Sequence, residues 1–216
     1  MADILQPRPS AAMFPPGAFD RLDQADDAEF YAEARLVTHI DDIAISALTG
    51  FYSLCLPPGG KVLDLMSSWV SHLPADAAYS EVTGLGMNAD ELAANPRLTR
   101  RVVQNLNTDP ILPLEDSHFD AAVICVSVQY LQRPVEVLRE VLRALKPAAP
   151  VIISFSNRCF PTKAIQLWRM LPARDHPNLV AFYLTEAGFS DIEAVRLIDG
   201  VASDPLTVVA GVKPAA

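Results

Sequence analysis

Residues 112–155 read LPLEDSHFDAAVICVSVQYLQRPVEVLREVLRALKPAAPVIISF. The run FDAAVICVSV at 119–128 is apolar and rich in β-branched residues along its whole length. A strand covered on one face alternates apolar with polar; a run without alternation predicts a central strand buried on both faces. Pro134 then opens PVEVLREVLRAL, at the favoured place for proline in a helix. Pro147 stops that helix, and Val151–Phe155 is a second buried strand. Strand, helix and strand in this order predict a parallel, doubly wound α/β sheet. In such sheets ligands lie at the carboxyl ends of the strands, where the strand order reverses.

The same alternation extends outward. Lys61–Leu65 follows the turn PPGG at 57–60, and Tyr79–Leu85 precedes the helical NADELAA. Arg101–Leu106 is a third strand candidate. Downstream, residues 162–171 and 178–187 have helical pattern, the second closing at Gly188, and Ile192–Leu197 with Leu206–Val212 suit an antiparallel pair. Between Asp27 and Leu56, Phe30, Ala34, Val37, Ile40, Ile43, Ala47, Leu48 and Phe51 recur at three- and four-residue steps. That spacing predicts two helices with a break near Thr38–Asp41. Residues 1–27 are rich in proline, alanine and aspartate without a period, which predicts a flexible arm. The expected organisation is one domain over 28–216, with a helical lid at 28–58 and a core at 61–212.

The chain has 216 residues, half of them apolar and 20% charged, which suits one folded domain. A net charge of −9 argues against nucleic acid as the main partner, since phosphate binding needs a basic face. Cys55, Cys125 and Cys159 are far apart and odd in number, with no metal-ligand spacing. No signal-peptide pattern opens the sequence, and no apolar run reaches the length of a membrane span. These features predict a cytoplasmic protein with no membrane, nucleic-acid or metal partner, and a monomer.

The stretch 112–155 resembles the block of the class I S-adenosylmethionine-dependent methyltransferases in which "LPF", two polar residues and "FD" precede a buried strand. The family's next helix has the form LxExxRvLKPGG. The resemblance spans roughly Leu36 to Val212. It implies a Rossmann-like, seven-stranded, mostly parallel sheet whose last strand runs antiparallel between its neighbours, with an N-terminal helical lid. It also implies S-adenosylmethionine over the first two strands and an acceptor over the fourth and fifth.

The departures fall on the cofactor motifs. In VLDLMSSWVSHLP at 62–74, Asp64 matches the family's acidic residue, but Met66, Ser68 and Val70 stand where its three glycines would be. At the end of the second strand, in VTGLGMNADEL, Gly86 occupies the place of the acid that grips the ribose hydroxyls. Met87 and Asn88 follow, and Asn88 is the nearest polar substitute. Thr108 and Asp109 are the candidates facing adenine. A loop rebuilt for the cofactor would use the hydroxyls of Ser67 and Ser68, the flat face of Trp69, and a helix beginning near Ser68 with Ser67 as N-cap. A vestigial site would have Trp69 filling the space and the domain acting as a scaffold or non-catalytic binding module. Both readings stand on the sequence.

Tyr31, Arg35 and His39 lie at four-residue steps and would share one helix face towards a substrate. His39 and His72 are candidate general bases, while Thr38 and Asp41 read as helix-capping residues. Ser127, Gln129 and Tyr130 follow the fourth strand, where an acceptor would rest; Gln129 and Tyr130 are candidates to orient it. Asn157, Arg158 and Lys163 form a polar cluster suited to an anionic small-molecule substrate. His118 and His176 read as turn or cap residues, and Cys159 as a buried thiol. The function expected is methyl transfer to a small-molecule acceptor.

Overall fold

The computed structural model describes residues 14–215. The central strand is β4, Ala121–Cys125, fully buried from Ala121 to Ile124. It ends earlier than the apolar run does, because Val126 turns into left-handed backbone at φ 41°, a rare state for a β-branched residue. The other strands are β1 (Gly59–Leu65), β2 (Tyr79–Gly86), β3 (Arg100–Val103), β5 (Pro150–Phe155), β6 (Ser190–Ile198) and β7 (Leu206–Val212). Their order is β3-β2-β1-β4-β5-β7-β6, with β7 antiparallel to both neighbours and the remaining pairs parallel. The expected seven-stranded, mostly parallel sheet is the observed one. Its order reverses between β1 and β4, where Asp64 stands beside Val123.

Alternate residues of the central strands face opposite layers. Leu63, Leu65, Ala122 and Ile124 join one core with α4 (Pro134–Ala144) and α6 (His176–Ala187), which ends at Gly188 with φ 105°. Val62, Ala121 and Val123 join the other with Ala44, Leu48 and Tyr52 of α2 (Asp42–Cys55) and Leu92 of α3 (Ala89–Ala94). α5 is a short segment, Gln166–Met170.

Residues 66–78, between β1 and β2, contain no helix. This corrects the expectation of a helix near Ser68 capped by Ser67. α2 packs in the apolar layer on that side of the sheet, and Leu73 joins it from an irregular stretch. The backbone also turns left-handed at Met66 (φ 57°) and His72 (φ 53°), which interrupts helical geometry. The chain leans instead on the end of α3: Asn95 donates its amide to the Ser68 carbonyl and to Ser71 Oγ, each at 2.9 Å.

The N-terminal segment also differs from expectation. Residues 14–27 pack on the domain: Arg21 bridges Ile165, and Leu167 N donates to the Ala18 carbonyl at 2.7 Å. Residues 1–13 of the expected arm lie outside the described residues. Only α1 (Asp27–Phe30) and α2 are helical within 28–58, and residues 31–41 between them are irregular. Tyr31, Arg35 and His39 therefore share no helix face. Asp41 caps α2 by accepting from Ala44 N at 2.9 Å, and Thr38 does not cap it.

Candidate functional site

A cavity of about 610 Å³ opens over the carboxyl ends of β1, β2 and β4, between the strand-end loops and the irregular segment 31–41. Its volume lies in the range of small-molecule sites. Met66, His72 and Val126, three of the non-glycine residues with left-handed backbone, all line it. Backbone strain of this kind concentrates at binding and catalytic sites.

At one end of the cavity is the loop after β1. Met66 takes the left-handed turn that glycine would take without cost. Asp64 is 3% exposed and accepts from Ser67 Oγ and Ser71 Oγ, each at 2.6 Å and both at Oδ2. Burial outweighs these bonds and pushes its carboxyl up to about 6. Ser68 Oγ donates to Glu91 Oε2 at 2.5 Å. Trp69 lines the cavity and donates Nε1 to the Val37 carbonyl at 2.9 Å, which ties the loop to the segment above it.

Gly86 and Met87 line the cavity, but Gly86 has no room for a side chain: a Cβ there would lie 2.2 Å from the Ser67 carbonyl oxygen. Asn88 does not line it. Its amide oxygen caps α3 through Asp90 N and Glu91 N, and its amide nitrogen donates to the carbonyls of Tyr31 and Ala32. Asn88 thus has no free group for a ribose hydroxyl. Thr108 and Asp109 are exposed and outside the cavity, because their backbone N–H groups both fold back onto the Asn105 carbonyl. Gln104, Asn105, Leu106 and Asn107 line it instead.

Tyr31, Arg35, His39, His72, Ser127, Tyr130, Arg158 and Phe160 also line the cavity. Tyr130 stacks on Phe160 at 5.9 Å, and its hydroxyl accepts from Phe160 N at 2.9 Å. Burial pushes that phenol up to about 12, so it stays protonated. Burial also lowers both histidines, His72 to about 4 with His39 adding to the shift, so both rings are neutral at pH 7. Ser127 Oγ is buried without a hydrogen-bond partner.

Three candidates are placed elsewhere. Gln129 is 1% exposed, lies outside the cavity and donates to the Val126 carbonyl. Asn157 is exposed and also outside it. Lys163 is fully buried, paired with Asp23 at 3.0 Å and Asp27 at 3.2 Å, and serves to fasten the N-terminal segment. Arg158 is at the rim, paired with Asp204 at 2.9 Å.

The sequence reading missed Glu91, which is 8% exposed and lines the cavity. Its oxygens accept from Ser68 Oγ and Arg35 N, and each keeps a further lone pair. The signal was present in NADEL, an acid five residues beyond position 86.

The polar set fits a nucleoside sulfonium with altered contacts. Glu91 offers a carboxylate, Gln104 its amide oxygen, Asn105 its amide nitrogen, and Met66, Leu85 and Leu106 offer apolar walls, all on one cavity, while the amide nitrogens of Gln104 and Asn107 are used within the protein.

A methyltransferase domain family model matches residues 66–153. No curated protein matches the chain by sequence. Among solved structures, the cyclase SpnF is similar with a TM-score of 0.56 and 17% identity, over 78% of this chain and 81% of that one. An S-adenosylmethionine-dependent methyltransferase from Mesorhizobium loti has a TM-score of 0.54 and 17% identity, over 77% of this chain and 97% of that one. Phosphoethanolamine N-methyltransferase 2 of Haemonchus contortus, solved with S-adenosyl-L-methionine, has a TM-score of 0.54 and 16% identity, over 80% of this chain and 52% of that one. Identities this low speak for the fold. The matched residues span the centre of the sheet, which is the seven-stranded, mostly parallel sheet that the methyltransferase resemblance implies.

Proposed function

We propose that the protein is an S-adenosylmethionine-dependent methyltransferase acting on a small-molecule acceptor that carries an anionic group. The observation that carries this reading is the continuity of one cavity from Asp64, Gly86 and Leu106 to Tyr130 and Phe160, across the switch point of the sheet. The bound cofactor supplies an electrophilic methyl group. Glu91, Gln104 and the Asn105–Asn107 turn hold the nucleoside, and the segment 31–41 with Trp69 keeps water out. Tyr130 and Phe160 give the acceptor a flat wall, which fixes its approach. His72 and His39, both neutral, are the groups placed to take a proton from it.

A cytoplasmic, monomeric protein is part of the same reading; its three cysteines are free, as suits a reducing compartment. No helix among the described residues is long and apolar enough to cross a membrane.

A second reading is a binding module without turnover. It draws support from the loop hydroxyls of Ser67, Ser68 and Ser71, all engaged inside the protein. Calorimetric titration with S-adenosylmethionine and S-adenosylhomocysteine separates the outcomes. Micromolar binding, weakened by Ser68→Gly and Trp69→Ala, supports a working cofactor site. No binding at millimolar cofactor overturns the methyltransferase reading, and binding without transfer to any acceptor favours the module.

A further inference from the structure

The polar groups of the cavity are partnered unevenly. Five carboxylates line it, those of Asp27, Asp41, Asp64, Glu91 and Asp204. Each already accepts from donors within the protein. Asp27 takes Arg21, Lys163 and Asn107; Asp41 takes Ser203 and two backbone N–H groups. Asp64 takes two serines, Glu91 takes Ser68 and Arg35 N, and Asp204 takes Arg158 and Asp41 N.

The nitrogen groups on the same wall are the converse case. Arg35 Nη1 is shielded from solvent and has no acceptor. Its Nη2 donates to the Phe30 carbonyl, and the guanidinium lies over the Phe30 ring at 4.5 Å and near Phe160 at 5.7 Å. His39 stands edge-on to the same Phe160 ring at 5.5 Å. His72 is 9% exposed, and among the described residues neither histidine ring has a hydrogen-bond partner. A buried donor without an acceptor costs about 1–3 kcal/mol. Arg35 Nη1 is such a donor, and beside two imidazoles that line the same cavity it calls for an acceptor atom on the ligand.

We propose that Arg35, His39 and His72 form an anion subsite that receives the carboxylate of a flat, apolar acid, with the body of that acid against Tyr130 and Phe160. This rests on the small-molecule reading of the cavity and names the class of its ligand. A monoanion suits the site, because one guanidinium edge and two imidazoles must hold it beside five carboxylates. The stacked Tyr130–Phe160 wall favours a planar body over a branched one. Binding carries a proton signature. His72, lowered to about 4, is neutral in the free protein at pH 6, and a carboxylate beside it raises its proton affinity, so the complex takes up a proton near that pH. The charged groups facing the two histidines are the five carboxylates above, Arg21 and Arg35 of the N-terminal segment, and Arg158 after β5. Asp27, Asp41, Asp64, Glu91 and Asp204 are held by their own donors, which leaves the histidines free to respond.

Benzoate and 1-naphthoate, with benzamide as the neutral isostere, are titrated calorimetrically into the protein at pH 6, in two buffers of different ionisation heat. Wild type, Arg35→Gln and His72→Asn are compared, with thermal melts to confirm folding. Asparagine tolerates the left-handed backbone at position 72. S-adenosylhomocysteine binding to the wild type is measured separately, so loss of the cofactor reading and loss of the anion subsite are read apart. The expected result is carboxylate binding at least ~10-fold tighter than amide, erased by Arg35→Gln. Proton uptake should be present in wild type and reduced in His72→Asn. Equal affinity for benzoate and benzamide, unchanged affinity in Arg35→Gln, or no saturable binding of either acid overturns the proposal.

Discussion

The Ser67 carbonyl oxygen lies where a side chain on Gly86 would begin, 2.2 Å from the position of a Cβ. The first strand-end loop therefore crosses the second strand through the space left by the absent residue. Two departures from the family pattern, a loop without glycine and a glycine in place of an acid, are one structural change. The loop needs that glycine because its own backbone lies against it.

Gly86→Ala should consequently destabilise the domain by about 1–3 kcal/mol through overpacking. Gly86→Asp, which restores the family's acid, should do the same and weaken cofactor binding. Chemical denaturation of both variants checks this. Wild-type stability in Gly86→Ala would show that the loop can take another path.

Asp64 and His72 oppose one another in pH dependence. The Asp64 carboxyl is raised from 3.8 to about 6 in the fold. Its penalty is absent below the unfolded value, grows as pH rises from about 4 to 6, and reaches about 3 kcal/mol above that. His72 is lowered from 6.5 to about 4. Its penalty is absent above the unfolded value and grows as pH falls from about 6.5 to 4, to a similar size. The two nearly cancel in the wild type. Asp64→Asn should make stability fall on acidification, and His72→Asn should make it rise. Melts from pH 4 to 7 that keep the same slope in both variants would disprove the assignment.

Lys163 has no exposed surface and faces Asp23, Asp27 and the Ala25 carbonyl. Lys163→Met leaves the buried Asp27 carboxylate with Arg21 and Asn107 only, and takes the cation from the half-buried Asp23. The expected loss is about 3 kcal/mol, with earlier hydrogen exchange across residues 18–27. Exchange confined to other segments would contradict the fastening role.

Trp69→Phe keeps the ring but removes the donor to the Val37 carbonyl. Global stability should fall by about 1 kcal/mol, while amides at 31–40 exchange faster. If ligand binding closes this segment, S-adenosylhomocysteine should restore protection in wild type more than in the variant. Equal protection in both would mean that Trp69 does not hold the segment.

The alternation of strands and helices, the crossover helix α4, its proline start and the antiparallel end were all legible in the sequence. Each rests on a local period or a local breaker, and such signals act within a few residues. Asp64, Gly86 and Tyr130 were placed at the cavity for the same reason: strand ends in this topology converge there. Only the tertiary structure decided which polar groups were still free. Asn88 meets the carbonyl of Tyr31, Glu91 meets the backbone of Arg35, and Lys163 meets Asp27, each across more than fifty residues of chain. The missing helix after β1 belongs to the same class, because Glu91 and Asn95, from α3 and its end, hold the loop at Ser68 and Ser71. Whether a side chain binds a ligand depends on whether the protein already satisfies it. That is settled by partners brought near in space, which no local pattern records.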